Sequence, residues 1–386
     1  MHSLSGVVVA DFSRVLSGPT ATMFLADLGA DVIKIERPGV GDDTRAWGPP
    51  FLGEDSTYFL STNRNKRSAE LDLTDAEGIE AARELVRRAD VLVENFRPGT
   101  MDRLGLGYQD ARRLNPRLVY CSISGFGSGA GASRPGYDFV VQAMGGLMSV
   151  TGEPDGDPMK VGVALVDMLA GLHATIGILA SLRERDQTGK GRHVEVNLLS
   201  SLISSLANQG SAFAAAGVVP QRLGNAHPSI APYELFETAD GQVAVACGTD
   251  RQFVQLCRAV DQSAIAEDPR FITNRDRVEH RTELREMLTA AFSRFSTAQL
   301  LSCLEETGVP VGPVNDLAEA FNLATALGLE PIQYVKGANG PVAQLSSPLR
   351  FDGEVPAVQE LPPRLGEHTE EVLRWLGQSQ AVEANR

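Results

Sequence analysis

The chain has 386 residues, of which 43% are hydrophobic and 22% are charged, a composition typical of folded globular proteins. Its 35 basic and 49 acidic residues give a formal net charge of -14, which disfavours binding to nucleic acid or to an anionic membrane. The four cysteines form no CxxC pair and the six histidines show no metal-ligand spacing, so neither a disulfide framework nor a metal site is expected.

The first third of the chain alternates the patterns of strands and helices. Short apolar runs predict strands, Pro19 opens a first helix, and Thr74 and Glu77 have the spacing of a capping box before an amphipathic helix. In chain order, the other predicted elements are strand 6–10, helix 19–28 and strands 31–36, 90–94 and 117–124. This alternation predicts an α/β fold with an open, mostly parallel, Rossmann-like sheet.

One apolar stretch is long enough to span a bilayer. It runs from Val161 to Leu182 and carries a single formal charge, Asp167. His173 and three glycines interrupt it, so we predict an interior helix of a globular protein. The start of the chain has no basic segment before an apolar core, which is typical of a protein without a signal peptide. We therefore expect a cytoplasmic protein that contacts no membrane.

The pattern changes in the second half. Residues 198–219 predict a helix that runs into a linker, and Asp240-Gly241 predicts the tight turn of an antiparallel hairpin. Further predicted elements are the hairpin strands 233–237 and 242–247, the helices 282–294 and 297–307, and a short helix at 370–376. The predicted domains are a discontinuous large α/β domain (1–205 and 325–386), a linker (206–225) and a small α+β domain (226–324).

Capping signals support the last of these helices. Ser296 and Gln299 have the spacing of a capping box. Gly308 follows as a predicted stop, because glycine readily adopts the left-handed conformation that ends a helix.

Basic residues follow several predicted strands. Arg14, Arg37 and Arg97 come after the strands at 6–10, 31–36 and 90–94. Ligands of open parallel sheets bind beyond the carboxyl ends of the strands, so these arginines could together hold several phosphate groups. Further basic residues of this region are Lys66, Arg67 and Arg103.

Two glycine patterns bear on the ligand. The turn at 13–19 has one glycine where a dinucleotide-binding fingerprint needs three, so a nicotinamide or flavin site is not expected. The turn at 125–131 carries four glycines. Its backbone N–H groups could face an anion or a thioester oxygen.

Asp167 is the only formal charge between Lys160 and Arg183. Burying an isolated carboxylate is costly unless something compensates it. Two interpretations stay open: Asp167 caps a helix that begins at Met168, or it is a nucleophile that the helix N-terminus keeps ionised.

A set of motifs spread over the chain resembles the class III CoA-transferases, the family that contains formyl-CoA transferase and carnitine CoA-transferase. The segments that carry the resemblance are 18–19, 28–37, 65–68, 93–99, 136–138, 188–191, 308–310 and 365–369. The resemblance implies that Asp167 is the nucleophile, that it forms an aspartyl anhydride and an aspartyl-CoA thioester, and that coenzyme A is needed only as co-substrate, without a metal. It also implies an interlocked homodimer.

The resemblance assigns further residues position by position. The implied CoA contacts are Arg37, Leu71, Thr74, Asn95, Phe96, Arg97, Arg103, Tyr137 and Asp138. Segments near 156–164, 197–201 and 224–233 resemble the succinyl-CoA:glutarate branch, which moves CoA between dicarboxylic acids. On this analogy, the residues expected to hold the distal carboxylate of an acid substrate are Arg14, Asn225, His227 and Ser229.

Departures from the family pattern favour some activities over others. Arg14 and Leu16 stand where formyl-CoA transferase has histidine and glutamine, which disfavours formyl or oxalyl chemistry. Tyr137 stands where α-methylacyl-CoA racemases of the same fold have histidine. Tyrosine is a poor base at neutral pH. A transferase is therefore favoured, and a racemase and a non-catalytic acyl-CoA-binding protein are the alternatives.

Overall fold

The structure, a computed structural model, describes residues 3–337 and 340–377. The chain divides into two compact units. The first is built from the segment that ends at Leu147, from Val161–Val218 and from the segment that begins at Glu330. The second contains Met148–Lys160 and Val219–Leu329.

The helices and strands are numbered along the whole chain. The strands are β1 (Val8–Asp11), β2 (Asp31–Glu36), β3 (Phe51–Leu52), β4 (Asp55–Ser56), β5 (Lys66–Glu70), β6 (Val91–Glu94), β7 (Val119–Ser124), β8 (His193–Asn197), β9 (Tyr233–Glu237), β10 (Gln242–Ala246), β11 (Val311–Pro313), β12 (Ile332–Gly337) and β13 (Gly340–Leu345). The helices are α1 (Ser17–Asp27), α2 (Thr57–Leu60), α3 (Ala76–Arg88), α4 (Thr100–Arg103), α5 (Tyr108–Leu114), α6 (Asp138–Met144), α7 (Leu165–Thr188), α8 (Leu198–Ser205), α9 (Ala207–Ala216), α10 (Asp250–Ala259), α11 (Ser263–Glu267), α12 (Asn274–Glu279), α13 (Arg281–Phe292), α14 (Thr297–Glu305), α15 (Leu317–Ala326) and α16 (Thr369–Trp375).

A six-stranded sheet is the framework of the first unit. Its strands lie in the order β5-β2-β1-β6-β7-β8, and every neighbouring pair is parallel. The order reverses between β1 and β6, because the chain continues to one side of β1 first and to the other side afterwards. Such a switch point opens a crevice at the carboxyl ends of the two strands, where ligands of α/β proteins bind.

Helices cover both faces of this sheet. On one face, α1 and α7 bury residues such as Leu25 and Ala174 against Val91. On the other face, α3 buries Leu85 and Val86. The central strands are almost entirely apolar because they are covered on both sides. The predicted open parallel sheet is confirmed, with the predicted strands placed to within about two residues at their ends.

Two strands of the sheet were not predicted. The five residues of β5 read Lys-Arg-Ser-Ala-Glu, and yet Lys66 is buried because it pairs with a buried aspartate of β1. Strand β8 is the next element after α7, and its alternation of apolar and polar residues is too short to predict a strand. The hairpin of β12 and β13 was also absent from the prediction.

Helix α7 corresponds to the long apolar stretch of the sequence. It has 24 residues, and by length and composition it could cross a membrane. Within the first unit it packs on α1 so closely that a Cβ at Gly171 would lie 2.7 Å from the backbone oxygen of Ser17. Val166, Ala170 and Ile178 are fully buried in the core.

The second unit contains the antiparallel sheet β11-β10-β9 and helices α10 to α15. The predicted hairpin is confirmed, with Tyr233 opposite Ala246 and Glu237 opposite Gln242. The Ser296–Gln299 capping box of α14 is also confirmed. This unit has its own core, which includes Phe236 and Phe292 in edge-to-face contact.

Two local predictions were wrong. The cap of α3 is Asp75, whose side chain accepts from the N–H of Gly78, because Thr74 instead donates its hydroxyl to Asp72. Residues 198–219, predicted as a helix that runs into a linker, form two helices, α8 and α9, which meet at Leu206.

Candidate active site

The turn after β1 and the segment after β6 meet at the switch point of the sheet. The N–H of Arg14 donates to the side-chain oxygen of Asn95 (2.8 Å), and the side-chain nitrogen of Asn95 donates to the carbonyl of Arg14 (2.7 Å). The Arg14 guanidinium lies 4.7 Å from the centre of the Phe96 ring. These contacts bring together three of the residues selected from the sequence.

A cavity of about 210 Å³ opens beside these residues. Predicted site residues on its wall are Arg14, Asn95, Phe96, Arg97, Tyr137 and Asp167. All of them belong to the first unit. The cavity therefore combines the carboxylates of Asp43 and Asp167 with several cations.

Asp167 is the third residue of α7, and it is 9% exposed. Burial raises the pKa of its carboxyl group to about 7, the negative charge of Asp138 adds to this increase, and a hydrogen bond from Ser17 opposes it. One of the two interpretations held that the helix N-terminus keeps Asp167 ionised, and burial and the neighbouring carboxylate act against this. Near neutral pH the group is therefore divided between its ionised and protonated forms.

The capping interpretation of Asp167 was wrong. The helix begins at Leu165, so Asp167 lies inside its first turn. Asp138 takes the capping role instead: its Oδ2 accepts from the N–H groups of Val166 (2.7 Å) and Asp167 (3.2 Å). Because Asp138 already accepts hydrogen bonds from the N–H groups at the start of α7, the Asp167 carboxylate does not cap the helix and can face the cavity.

Asp138 is buried, and Gln142 donates to its other oxygen at 2.5 Å. The sequence resemblance placed Asp138 among the CoA contacts, whereas the structure places its carboxylate on the start of α7. Its neighbour Tyr137 is 60% exposed and lines the cavity.

A larger cavity of about 430 Å³ shares Arg14 and Phe96 with the first. Three further predicted residues lie on its wall, namely Arg37, Leu71 and Thr74. Its lining is mostly apolar apart from a rim of charged groups, and Arg37 pairs with Asp43 at 2.6 Å. Arg103 is exposed, donates to Thr100 and is not among the residues that line either cavity.

The remaining predicted residues lie in the second unit. Asn225 lines a cavity of about 350 Å³ in that unit. The N–H of Ser229 donates to Nδ1 of His227 (3.1 Å), whose ring packs on Tyr233.

Sequence reasoning missed Arg134. This exposed arginine lines the same cavity as Asp167. Its position directly before Pro135-Gly136-Tyr137 was a usable signal, because that segment was already identified. Lys66, a further basic residue of this region whose role the sequence left open, has its ammonium group buried against Asp11.

The glycine-rich turn reaches this cavity through Gly125. A Cβ at Gly125 would lie 2.6 Å from the Cα of Gly136, so the two backbones touch only because both residues are glycine. This contact holds the segment that carries Tyr137 and Asp138 against the end of β7.

No set of three or more His, Cys, Asp or Glu side chains in residues 3–337 and 340–377 is arranged to hold a metal ion. The chemistry that the site offers is that of a carboxylate nucleophile with arginines and backbone groups around it.

An open parallel sheet with a basic cavity at its switch point is typical of α/β enzymes that bind nucleotide-containing ligands. The model of CoA-transferase family III matches residues 4–369. The chain belongs to this family and is a CoA-transferase.

Individual relatives agree with this assignment. The chain is 44% identical to succinate–glutarate CoA-transferase of Agrobacterium fabrum, over 97% of this chain and 95% of the relative. It is 42% identical to succinyl-CoA:glutarate CoA-transferase of Mus musculus, over 97% and 86%. A crystal structure of a CaiB/BaiF family protein from Brucella suis has a TM-score of 0.86 and 42% identity, over 97% of this chain and 99% of the other.

Proposed function

We propose that this enzyme moves CoA from an acyl-CoA such as succinyl-CoA to a free dicarboxylic acid, with Asp167 as the nucleophile. The observation that carries the proposal is the Asp167 carboxylate in a small cavity shared with Arg14, Arg97 and Arg134. The names of similar proteins support the substrate class, since they include transferases for glutarate. A transferase for oxalate, at 45% identity in Acetobacter aceti, runs against the expectation that oxalyl chemistry is disfavoured.

The proposed reaction conserves the thioester bond energy. The Asp167 carboxylate attacks the thioester carbonyl, the C–S bond breaks, and a mixed anhydride and CoA thiolate form. The thiolate then attacks the aspartyl carbonyl, which releases the donor acid and leaves an aspartyl-CoA thioester. The acceptor carboxylate attacks this thioester to give a second anhydride, and the thiolate attacks its acyl carbonyl to release the new acyl-CoA and restore Asp167. Coenzyme A is the only cofactor that this scheme requires.

The CoA moiety is proposed to extend from the larger cavity to Asp167. Leu71 and Thr74 would contact the adenine, and Arg37 and Arg97 would hold the phosphates through charge-assisted hydrogen bonds. Arg103 lines neither cavity, and its proposed contact with CoA rests on the sequence resemblance alone. Further proposed contacts of CoA, on the pantetheine side, are Asn95, Phe96 and Tyr137. Asp138, which the resemblance also implied, bonds the start of α7 instead.

The acid substrate needs a cation for its second carboxylate. Arg14 and Arg134 both line the cavity of Asp167. Asn225, His227 and Ser229 are proposed acid-binding residues on the sequence resemblance alone. Replacing Arg14 or Arg134 by Ala should reduce the preference for dicarboxylic over monocarboxylic acids. An unchanged preference in both variants would exclude this role for the arginines.

We also propose that two chains form an interlocked homodimer in the cytoplasm, without contact to membrane or nucleic acid. Exposed apolar side chains on three helices of the first unit support a self-association surface. They are Phe139 and Met144 of α6, Ile176 of α7 and Phe213 of α9. The net charge of -14 supports the expected absence of nucleic acid and of anionic membrane as partners.

The test of the proposed function is an exchange assay. Purified protein receives succinyl-CoA and a pool of mono- and dicarboxylic acids, and new acyl-CoA species are measured by mass spectrometry. We expect new thioesters of dicarboxylic acids, which disappear in Asp167→Asn. Exchange that survives in this variant would exclude Asp167 as nucleophile, and α-proton exchange on 2-methylacyl-CoA without acid transfer would indicate racemase chemistry instead.

A further inference from the structure

Buried and half-buried side chains hold the turn between β1 and α1, residues 13–16, at each of its first three residues. Asp11 accepts from the N–H of Ser13 (3.0 Å), and Lys34 donates to the carbonyl of Ser13 (2.9 Å). Asn95 bonds both backbone groups of Arg14. The N–H of Val15 donates to the carboxylate of Asp42 (3.2 Å).

Val15 is strained. Its φ of 68° lies in the left-handed region, which a β-branched residue rarely adopts. Such a conformation persists only where surrounding contacts enforce it, and it is typical of functional sites. The hydrogen bond from Val15 to Asp42 is one of the contacts that enforce it here.

A buried ion pair connects the side chains that hold the two neighbours of Arg14, Ser13 and Val15. Nζ of Lys34 lies 2.9 Å from Oδ2 of Asp42, and both side chains are completely shielded from solvent. Lys34 therefore holds Ser13, and Asp42 holds Val15. Because the desolvation cost of a buried pair can exceed its Coulombic gain, overall stability alone is a weak explanation for it.

The turn leads directly to the candidate active site. Arg14 lines the cavity of Asp167, and Ser17, at the start of α1, hydrogen bonds Asp167. A shift of the turn would therefore move both a cation of the cavity and a hydrogen-bond partner of the nucleophile.

We propose that the Lys34–Asp42 pair is a positioning device that holds the turn in its strained form, so that Arg14 and Ser17 are aligned with Asp167. This inference rests on the proposed role of Asp167 as nucleophile. Lys34 and Asp42 act through the turn and do not touch the reacting atoms.

The test compares this pair with a second buried pair, Arg64–Asp27, which is 2.6 Å long and 3% and 4% exposed. Asp27 ends α1, so the control pair lies about 15 Å along the helix from Ser17. The variants are Lys34→Met and Asp42→Asn, with Arg64→Met and Asp27→Asn as matched controls. The rate at which succinyl-CoA acylates Asp167 is measured by hydroxylamine trapping and peptide mass spectrometry, together with CoA affinity and Tm.

We expect both pairs of variants to lower Tm. Only Lys34→Met and Asp42→Asn should slow acylation, by about 100-fold as for small misplacements of reacting groups. The rates are compared at saturating succinyl-CoA, because both residues also line the cavity proposed for CoA. Adding Val15→Gly to Lys34→Met should restore part of the rate, because glycine adopts a positive φ without strain. If Lys34→Met does not fold, Asp42→Asn, which keeps the shape and an acceptor oxygen, decides the question.

Equal acylation rates in the Lys34 or Asp42 variants and in their controls would overturn the proposal, as would the absence of any recovery with Val15→Gly. A wild-type protein whose Asp167 is not acylated would refute the proposed function itself. That result differs from the two outcomes above, because both of them require that Asp167 is acylated in the wild-type protein.

Discussion

At the scale of single residues, the protonation of Asp167 connects structure and reaction. A carboxylate must be ionised to attack a thioester, whereas burial and Asp138 raise the pKa of Asp167 to about 7. The same desolvation makes the ionised group a stronger nucleophile once a substrate excludes water. The pH dependence of both activity and stability should therefore report on this residue.

The pH profile of kcat/KM should show this pKa. We expect kcat/KM to fall about tenfold per pH unit well below pH 7 and to level off above it. Asp138→Asn removes a negative charge but keeps an oxygen for the N–H of Val166, so the apparent pKa should move to lower pH. Steady-state kinetics from pH 5 to 9 checks this, and an unchanged pKa in Asp138→Asn would contradict the assigned cause.

Asp167→Asn should stabilise the protein at alkaline but not at acidic pH. The pKa of Asp167 is raised on folding, so the folded state loses stability as pH rises from about 4 to about 7. The variant avoids this loss and should gain up to about 4 kcal/mol in the free energy of unfolding at pH 8 relative to pH 4. Denaturant titrations at the two pH values measure it. If Asp167→Asn changes the free energy of unfolding equally at both pH values, the pKa of Asp167 does not differ between the folded and unfolded states.

Sequence reasoning found Asp167 because an isolated charge in an apolar run is visible without a structure. It could not find that Asp138 caps α7, since the two segments are 28 residues apart and meet only in the folded chain. Arg134 was missed although it lies close to the identified segment 136–138, because only the folded chain shows that it lines the cavity of Asp167.

At the scale of elements, the close packing of α1 on α7 positions the site. A Cβ at Gly171 would lie 2.7 Å from the oxygen of Ser17 and 2.9 Å from Cβ of Thr20. Both contacts are with the first turn of the helix that brings Ser17 to Asp167. The helices therefore meet at the distance that glycine allows.

Gly171→Ala should separate these two helices. We expect a loss of about 1–3 kcal/mol in stability from overpacking, together with a lower kcat because Ser17 moves away from Asp167. Gly129→Ala is the control, since no atom lies within 4 Å of its added Cβ. Urea denaturation and kcat measurements test both variants, and a normal kcat in Gly171→Ala would show that this packing does not serve the site.

The strands of the sheet were predictable where both faces are apolar, as in β1 and β6. They were not predictable where burial depends on tertiary ion pairs. Strand β5 reads as a charged loop until Lys66 is seen to meet Asp11, which lies 55 residues away.

At the scale of the whole molecule, the order of the sheet determines where the site lies. Arg14 after β1 and Asn95 after β6 become neighbours only because these strands are adjacent. The parallel sheet followed from the alternation of elements, and the place of its switch point required the observed strand order. The limits of the domains and the assembly of two chains stay predictions.

Sedimentation equilibrium should give twice the chain mass of 41.3 kDa. Ile176→Asp on α7 introduces a charge at a side chain that is 64% exposed in the single chain, so it should weaken a dimer that buries this face. Arg113→Asp, on the exposed surface of α5, is the control for added negative charge. A monomeric wild-type protein would contradict the proposed homodimer.

Asp167 is proposed to carry first the acyl group and then CoA during transfer. An oxygen-18 experiment tests this role. The protein turns over succinyl-CoA with glutarate whose carboxyl oxygens are ¹⁸O, and the peptide that contains Asp167 is analysed by mass spectrometry. The proposed anhydride leaves one oxygen of the glutarate carboxylate on the aspartate. We therefore expect ¹⁸O in the Asp167 carboxylate and, after further turnovers, in the released succinate. Formation of glutaryl-CoA without label on Asp167 would contradict it.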